Sequence, residues 1–204
     1  MLAALSDGRA LPAGVLARCA GVPPQTASAH LARLLAGGLL IEERHGRHRY
    51  FRIAAPTVVR ALEALAPLAA ARPAGLAVPT ALRFARTCYD HLAGAVGVKL
   101  AEALVQRGVL EMTPDGYAIT PVGTQRLEAF GLDMVALGQT RRALAPRCLD
   151  WSERRYHLAG ALGAALLTRL LALGWLRRAP TSRVVHLTAT GRDALRHELD
   201  VDLA

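Results

Sequence analysis

Two short segments gather side chains able to hold a soft ion or to react as thiols. One is Arg86-Thr87-Cys88-Tyr89-Asp90-His91; the other runs Arg147-Cys148-Leu149-Asp150-Trp151-Ser152-Glu153-Arg154-Arg155-Tyr156-His157. Each joins a cysteine, an aspartate, an aromatic ring and a histidine. Sulfur and imidazole nitrogen are the ligands of soft and borderline metal ions, and an accessible thiol can instead be oxidised. Cys88, His91, Cys148 and His157 therefore form a candidate effector or thiol site. The competing reading makes both cysteines small buried hydrophobes, with the histidines satisfied by Asp90 or by backbone. Cys19 stands far from both segments, and an odd cysteine count suits no disulfide framework. The chain has no CxxC, HExxH, GxGxxG or GKS/GKT phosphate loop. Neither Asp90-His91 nor Asp150-Trp151-Ser152 comes with a nucleophile elbow or a carboxylate pair, so no catalytic residue is assigned and an enzyme is not expected.

A second set of polar residues lies near the start. In the stretch Leu11 to Ala20, Leu11, Val15, Leu16 and Cys19 recur at helical spacing, with Pro12 suited to a first turn. Gly21 breaks this helix and Pro23-Pro24 restarts the chain. Gln25 to Ala36 then predicts a second helix, apolar at Ala27, Leu31, Leu34 and Leu35. Its opposite side carries Gln25, Thr26, Ser28, His30 and Arg33, which suit a helix that enters a major groove. Gly37-Gly38 ends it. Leu39 to Glu43 and His48 to Ile53 predict two strands around the basic turn Arg44-His45-Gly46-Arg47. Such a hairpin can lay Arg44, Arg47 and Arg49 along phosphates or into a minor groove.

On these residues the stretch Ala10 to Leu65 resembles the ArsR-type winged-helix repressors. The match is strongest over Pro24-Gln25-Thr26-Ala27-Ser28-Ala29-His30-Leu31-Ala32-Arg33-Leu34 and Gly38-Leu39-Leu40, and continues through Arg49-Tyr50-Phe51-Arg52-Ile53. The resemblance implies that the helix holding Ser28, His30 and Leu31 reads DNA, that the protein is a homodimer on a two-fold operator, and that an effector weakens the DNA complex. The family's familiar metal positions are not reproduced. Leu11 to Ala17 contains no cysteine, and Pro56 to Ala70 offers only Glu63 and no histidine. No metal is expected there, and no resident metal or cofactor is assigned elsewhere. The two Cys-Asp-His segments resemble a longer subgroup of the same regulators that carries a C-terminal extension.

Val58, Leu62, Leu65 and Leu68 line one face of a helix predicted from about Pro56 to Ala70, able to pack on a twin or on its own domain. A Pro/Gly-containing linker follows at about residues 71–80. It separates a DNA-binding domain, residues 1–70, from a C-terminal effector or dimerisation domain, residues 81–204. That second part contains a repeat, about residues 88–133 and 154–199. His91-Leu92-Ala93-Gly94-Ala95-Val96-Gly97 returns as His157-Leu158-Ala159-Gly160-Ala161-Leu162-Gly163, and Ile119-Thr120-Pro121-Val122-Gly123 is answered by Leu187-Thr188-Ala189-Thr190-Gly191. Each copy outlines helix, two short strands and helix. Its turns are less basic than the first hairpin, and its first helix is apolar on several faces and expected to be buried.

Composition agrees with a DNA partner. The chain has a formal net charge of +9 over 204 residues, and 24 of its 25 basic residues are arginine, whose planar fork suits phosphates and guanine edges. No apolar run nears the roughly 18 residues of a membrane span, and the first residues do not read as a signal peptide. The expected fold is mainly α with small β-hairpin wings: an N-terminal winged helix-turn-helix and a duplicated winged-helix-like C-terminal domain. The expected function is a cytoplasmic, sequence-specific transcriptional regulator. It would be a dimeric repressor on double-stranded DNA, released by a small-molecule or redox effector. The alternative is an architectural tandem winged-helix protein of chromosomes or scaffolds.

Overall fold

The structure is a computed structural model describing residues 1–6, 8–45, 48–65, 79–180, 182–199 and 201. Its internal contacts divide the chain into two units: residues 1–79 with 180–183, and residues 80–179 with 184–204. Among the described residues, no helix is long and apolar enough to cross a membrane.

The first unit opens with a short 3-10 turn at Leu2–Leu5, then β1 (Leu11–Pro12), α1 (Ala13–Ala20) and α2 (Pro24–Ala36). Gly21 closes α1 at φ +64°, a conformation glycine adopts without a Cβ penalty, and its N–H caps the Ala17 and Arg18 carbonyls. Pro24 occupies the first turn of α2, where a missing N–H costs nothing. The hairpin of β2 (Leu40–His45) and β3 (His48–Ile53) comes next, followed by α3 (Pro56–Leu65). The sheet order is β1-β3-β2. Leu16 and Leu31 from the two helices, Leu40, Phe51 and Ile53 from the hairpin, Val59 from α3 and Leu5 from the opening turn close one core.

Two details differ from expectation. Leu11-Pro12 belongs to no helix: it pairs as an edge strand with Phe51 and Tyr50. A sheet edge is where proline's missing donor does no harm, and Pro12 is extended there at φ −72°, ψ 153°. On α3, Val59 is the buried residue, with Val58 and Leu62 beside it, while Leu65 is 61% exposed. The inward face is thus rotated from the expected one. Leu68 and residues 71–78 of the expected linker at 71–80 lie outside the described residues, and Thr80, its last residue, already opens a helix.

The second unit repeats one order of elements. Its first half has α4 (Thr80–Phe84), β4 (Arg86–Cys88), β5 (His91–Ala93), α5 (Ala95–Gln106), β6 (Leu110–Met112), β7 (Tyr117–Ile119) and α6 (Pro121–Ala129). The second half has α7 (Met134–Gly138), β8 (Arg147–Leu149), β9 (Tyr156–Leu158), α8 (Gly160–Ala172), β10 (Leu176–Arg178), β11 (Val185–Leu187) and α9 (Ala189–Leu199). Consecutive strands form antiparallel pairs, β4-β5, β6-β7, β8-β9 and β10-β11. Thr120 and Thr188 accept the N–H of Gly123 and Gly191 three residues on, so each copy starts its last helix with the same cap.

The halves exchange partners. Helix α5 packs on β9, and α8 packs on β5. The repeated HLAGxxG motif makes this approach possible. A Cβ on Gly97 would lie 2.5 Å from the Leu92 carbonyl oxygen and 3.7 Å from His157 Cβ. On Gly163 it would lie 2.6 Å from the Leu158 oxygen and 3.1 Å from His91 Cβ. Leu100, Leu104, Leu162, Leu166 and Leu170, from both helices, then share one core.

Candidate functional site

Helix α2 presents a sharply divided surface. Ala27 and Leu31 are buried, whereas Gln25, Thr26, Ser28, His30 and Arg33 are all exposed. The 3.6-residue period separates the sets, because positions 27, 31, 34 and 35 turn towards α1 and the sheet. The Ser28 hydroxyl donates to the Pro24 carbonyl at 3.0 Å, which leaves its oxygen able to accept from outside the helix.

In the β2-β3 hairpin, Arg44 lies directly across from Arg49. Both guanidiniums donate to Glu42, from Arg44 Nε at 2.9 Å and from Arg49. Strand alternation puts residues 42 and 44 on one face, so one carboxylate serves both cations. The hydrogen bonds from Arg49 and then Arg44 lower the Glu42 carboxyl to about 2. Both arginines were named from sequence and Glu42 was missed; strand alternation, which puts Glu42 two residues from Arg44, was the signal that could have found it. Arg47, with Gly46, lies outside the described residues, as do the side chains of His45 and His48.

The second unit brings Cys88, His91, Cys148 and His157 together. Cys88 faces His91 across the β4-β5 pair, and Cys148 faces His157 across β8-β9. Residues directly opposite in an antiparallel pair project from the same face, so each hairpin offers one sulfur and one imidazole. The four ligand atoms lie within 4.8 Å of one another. The sulfurs are 4.0 Å apart, beyond the roughly 2.05 Å of a disulfide, and the Nε2 atoms are 3.2 Å apart. Cys88, His91 and His157 are buried. Each histidine has a carboxylate oxygen 3.5 Å from its Nδ1, from Asp90 for His91 and from Asp150 for His157.

Those carboxylates are held by arginines to which sequence reading gave no role. Arg142 forks onto Asp90 at 2.6 and 3.2 Å. Arg86, fully buried, forks onto the fully buried Asp150 at 3.0 Å on both oxygens and lies over the Trp151 ring. Asp150 also accepts the N–H groups of Gly94, Ser152 and Glu153 and the Ser152 hydroxyl. Burial pushes its carboxyl up, but the Arg86 charge and the hydrogen bonds from Ser152 and Gly94 outweigh that and hold it well below the usual carboxylate range. Nothing in the spacing of Arg86 and Asp150, 64 residues apart, announced this pair.

Residues 1–44 match a family model described as a helix-turn-helix domain. Over its whole length the chain is 44% identical to the uncharacterized HTH-type transcriptional regulator YdfF of Bacillus subtilis (strain 168), across 207 aligned residues that cover 92% of that protein. No solved structure matches. The shared identity spans both units, and the exposed polar face of α2 sits where the helix-turn-helix model matches. The chain belongs to the helix-turn-helix-type transcriptional regulators, which bind DNA.

Proposed function

We propose that the protein is a dimeric, sequence-specific repressor of the ArsR type whose DNA reader is a winged helix-turn-helix. Helix α2 is the recognition helix, with Gln25, Thr26, Ser28, His30 and Arg33 towards bases and phosphates. The β2-β3 hairpin is the wing, placing Arg44, Arg47 and Arg49 along the backbone. The observation that carries this reading is the division of α2, in which all five polar side chains are exposed while Ala27 and Leu31 seat the helix on its core. In a two-fold dimer, two such helices would meet successive major grooves about 34 Å apart. The second unit would hold the effector site at Cys88, His91, Cys148 and His157. A signal there would shift the spacing of the readers, and a coupling of about 1–3 kcal/mol would change operator occupancy several-fold.

The test is to sequence DNA that co-purifies with the protein in cells and then to measure affinity for the enriched site against random duplex. A pseudo-palindromic site bound at least about 10³-fold more tightly than random duplex is expected. Arg33→Ala should weaken binding to that site. Equal affinity for all duplexes would overturn the repressor reading in favour of the architectural one.

A further inference from the structure

We propose that Cys88, His91, Cys148 and His157 form a closed tetrahedral site for one divalent metal ion of the zinc class, joining the β4-β5 and β8-β9 hairpins. This departs from the expectation of no metal. It names the ligand of the cluster read above as an effector site, and its effect on DNA rests on that reading; the binding of the ion does not.

The like-atom separations fit the ion, and the full set, spread within 4.8 Å, needs only a small closing movement to bring sulfur and nitrogen to about 3.6 Å. Tetrahedral zinc bonds of about 2.3 Å to sulfur and about 2.0–2.1 Å to nitrogen set the sulfurs about 3.8 Å apart and the nitrogens about 3.3 Å apart. The observed separations are 4.0 and 3.2 Å. Two sulfurs and two imidazoles in a tetrahedral set are a donor combination characteristic of zinc.

The charges fit as well. Two thiolates and a divalent cation sum to zero, which suits a site where Cys88, His91 and His157 are buried. A monovalent ion would leave a net negative charge there. Asp90 and Asp150 do not alter this sum, because Arg142 and Arg86 already balance them.

The histidine surroundings point the same way. Each Nδ1 is buried without a hydrogen bond, and a carboxylate oxygen 3.5 Å away stands ready to accept from it once an ion holds Nε2. The Nε2 atoms face each other at 3.2 Å, a separation at which one ring donates to the other or one cation binds both. Carboxylate, imidazole and metal in line is the arrangement by which proteins orient histidine ligands. With four protein ligands and no open position, the ion would hold structure and would not do catalysis.

The test uses the full chain, reduced and stripped with a chelator, titrated with cobalt(II) as the probe. One equivalent per chain should give the intense visible bands of four-coordinate cobalt and a thiolate-to-cobalt charge-transfer band, and zinc should bleach both. Zinc should also raise the melting temperature of the second unit. Cys88→Ser and Cys148→Ser should each weaken cobalt binding and at least halve the charge-transfer band, the double variant should remove it, and Cys19→Ser should keep it whole. Asp90→Asn, which leaves all four ligands in place, should lower zinc affinity about 10–100-fold. Any ligand variant that does not fold is judged by the parent chain: absence of stoichiometric tetrahedral cobalt there overturns the proposal. So does a Cys88–Cys148 disulfide that persists under reducing conditions, which would make the pair a redox element. Operator affinity is then compared with and without one equivalent of zinc. A several-fold change supports the effector reading; no change overturns that reading and leaves the metal site standing on the cobalt result.

Discussion

At the scale of single residues, charge is more tightly accounted for than composition suggests. The +9 chain places a carboxylate between two of the cations proposed to contact DNA, since Glu42 accepts from both Arg44 and Arg49. Glu42→Gln should therefore tighten binding to any duplex. It should also steepen the dependence of log affinity on log salt by up to about 2, because each freed arginine can neutralise a phosphate. Fluorescence anisotropy across a salt series reads both. The pairing has a pH signature too. An unfolded glutamate titrates near about 4.3, whereas folded Glu42 is lowered to about 2. Stability from this lowered carboxyl is fully present above the unfolded value and is lost as pH falls through about 2; a carboxyl NMR titration should find that low midpoint. In the second unit, Asp150→Asn leaves Arg86 charged, buried and uncompensated. It should cost about 3–5 kcal/mol, measured by urea denaturation. The chemical types of the Cys-His cluster were legible in sequence because two segments repeated them. Arg86, Arg142 and Glu42 were not, because an ion pair between distant residues leaves no local pattern.

At the scale of elements, hydrophobic period did most of the work and failed where two chains of reasoning competed. It found α2 and its polar face, and the apolar helices α5 and α8, which are buried on several sides. It misread Leu11-Pro12 because an apolar residue followed by proline suits both a helix start and an edge strand; pairing with Phe51 and Tyr50 decided the matter. It also rotated α3, where two adjacent valines, Val58 and Val59, leave the inward face ambiguous. The repeated glycines carry a sharper expectation. Gly97→Ala puts a methyl group 2.5 Å from a backbone oxygen, which no rotamer relieves. It should destabilise the second unit by about 1–3 kcal/mol. Gly163→Ala should do the same, and should also press on His91 and weaken whatever the cluster binds. Thermal melts followed by circular dichroism test both variants, and helix-turn-helix affinity for nonspecific duplex should hardly change.

At the scale of the whole molecule, the two units divide the proposed work, one reading DNA and the other receiving the signal. Dimerisation is the property that this division most needs. Sedimentation of the full chain at micromolar concentration should give twice the monomer mass, and a palindromic site should bind two chains with one transition. A monomer that binds a half-site with full affinity would contradict the proposed repressor.

The exchange of partners within the second unit has a consequence for how that unit can exist. Because α5 lies on β9 and α8 on β5, and leucines of both helices share one core, each half buries much of its apolar surface on the other. Such an arrangement is that of two subunits written as one polypeptide. Joining them replaces an association that depends on concentration with one that does not. One cysteine and one histidine from each half then always meet, however few molecules the cell contains.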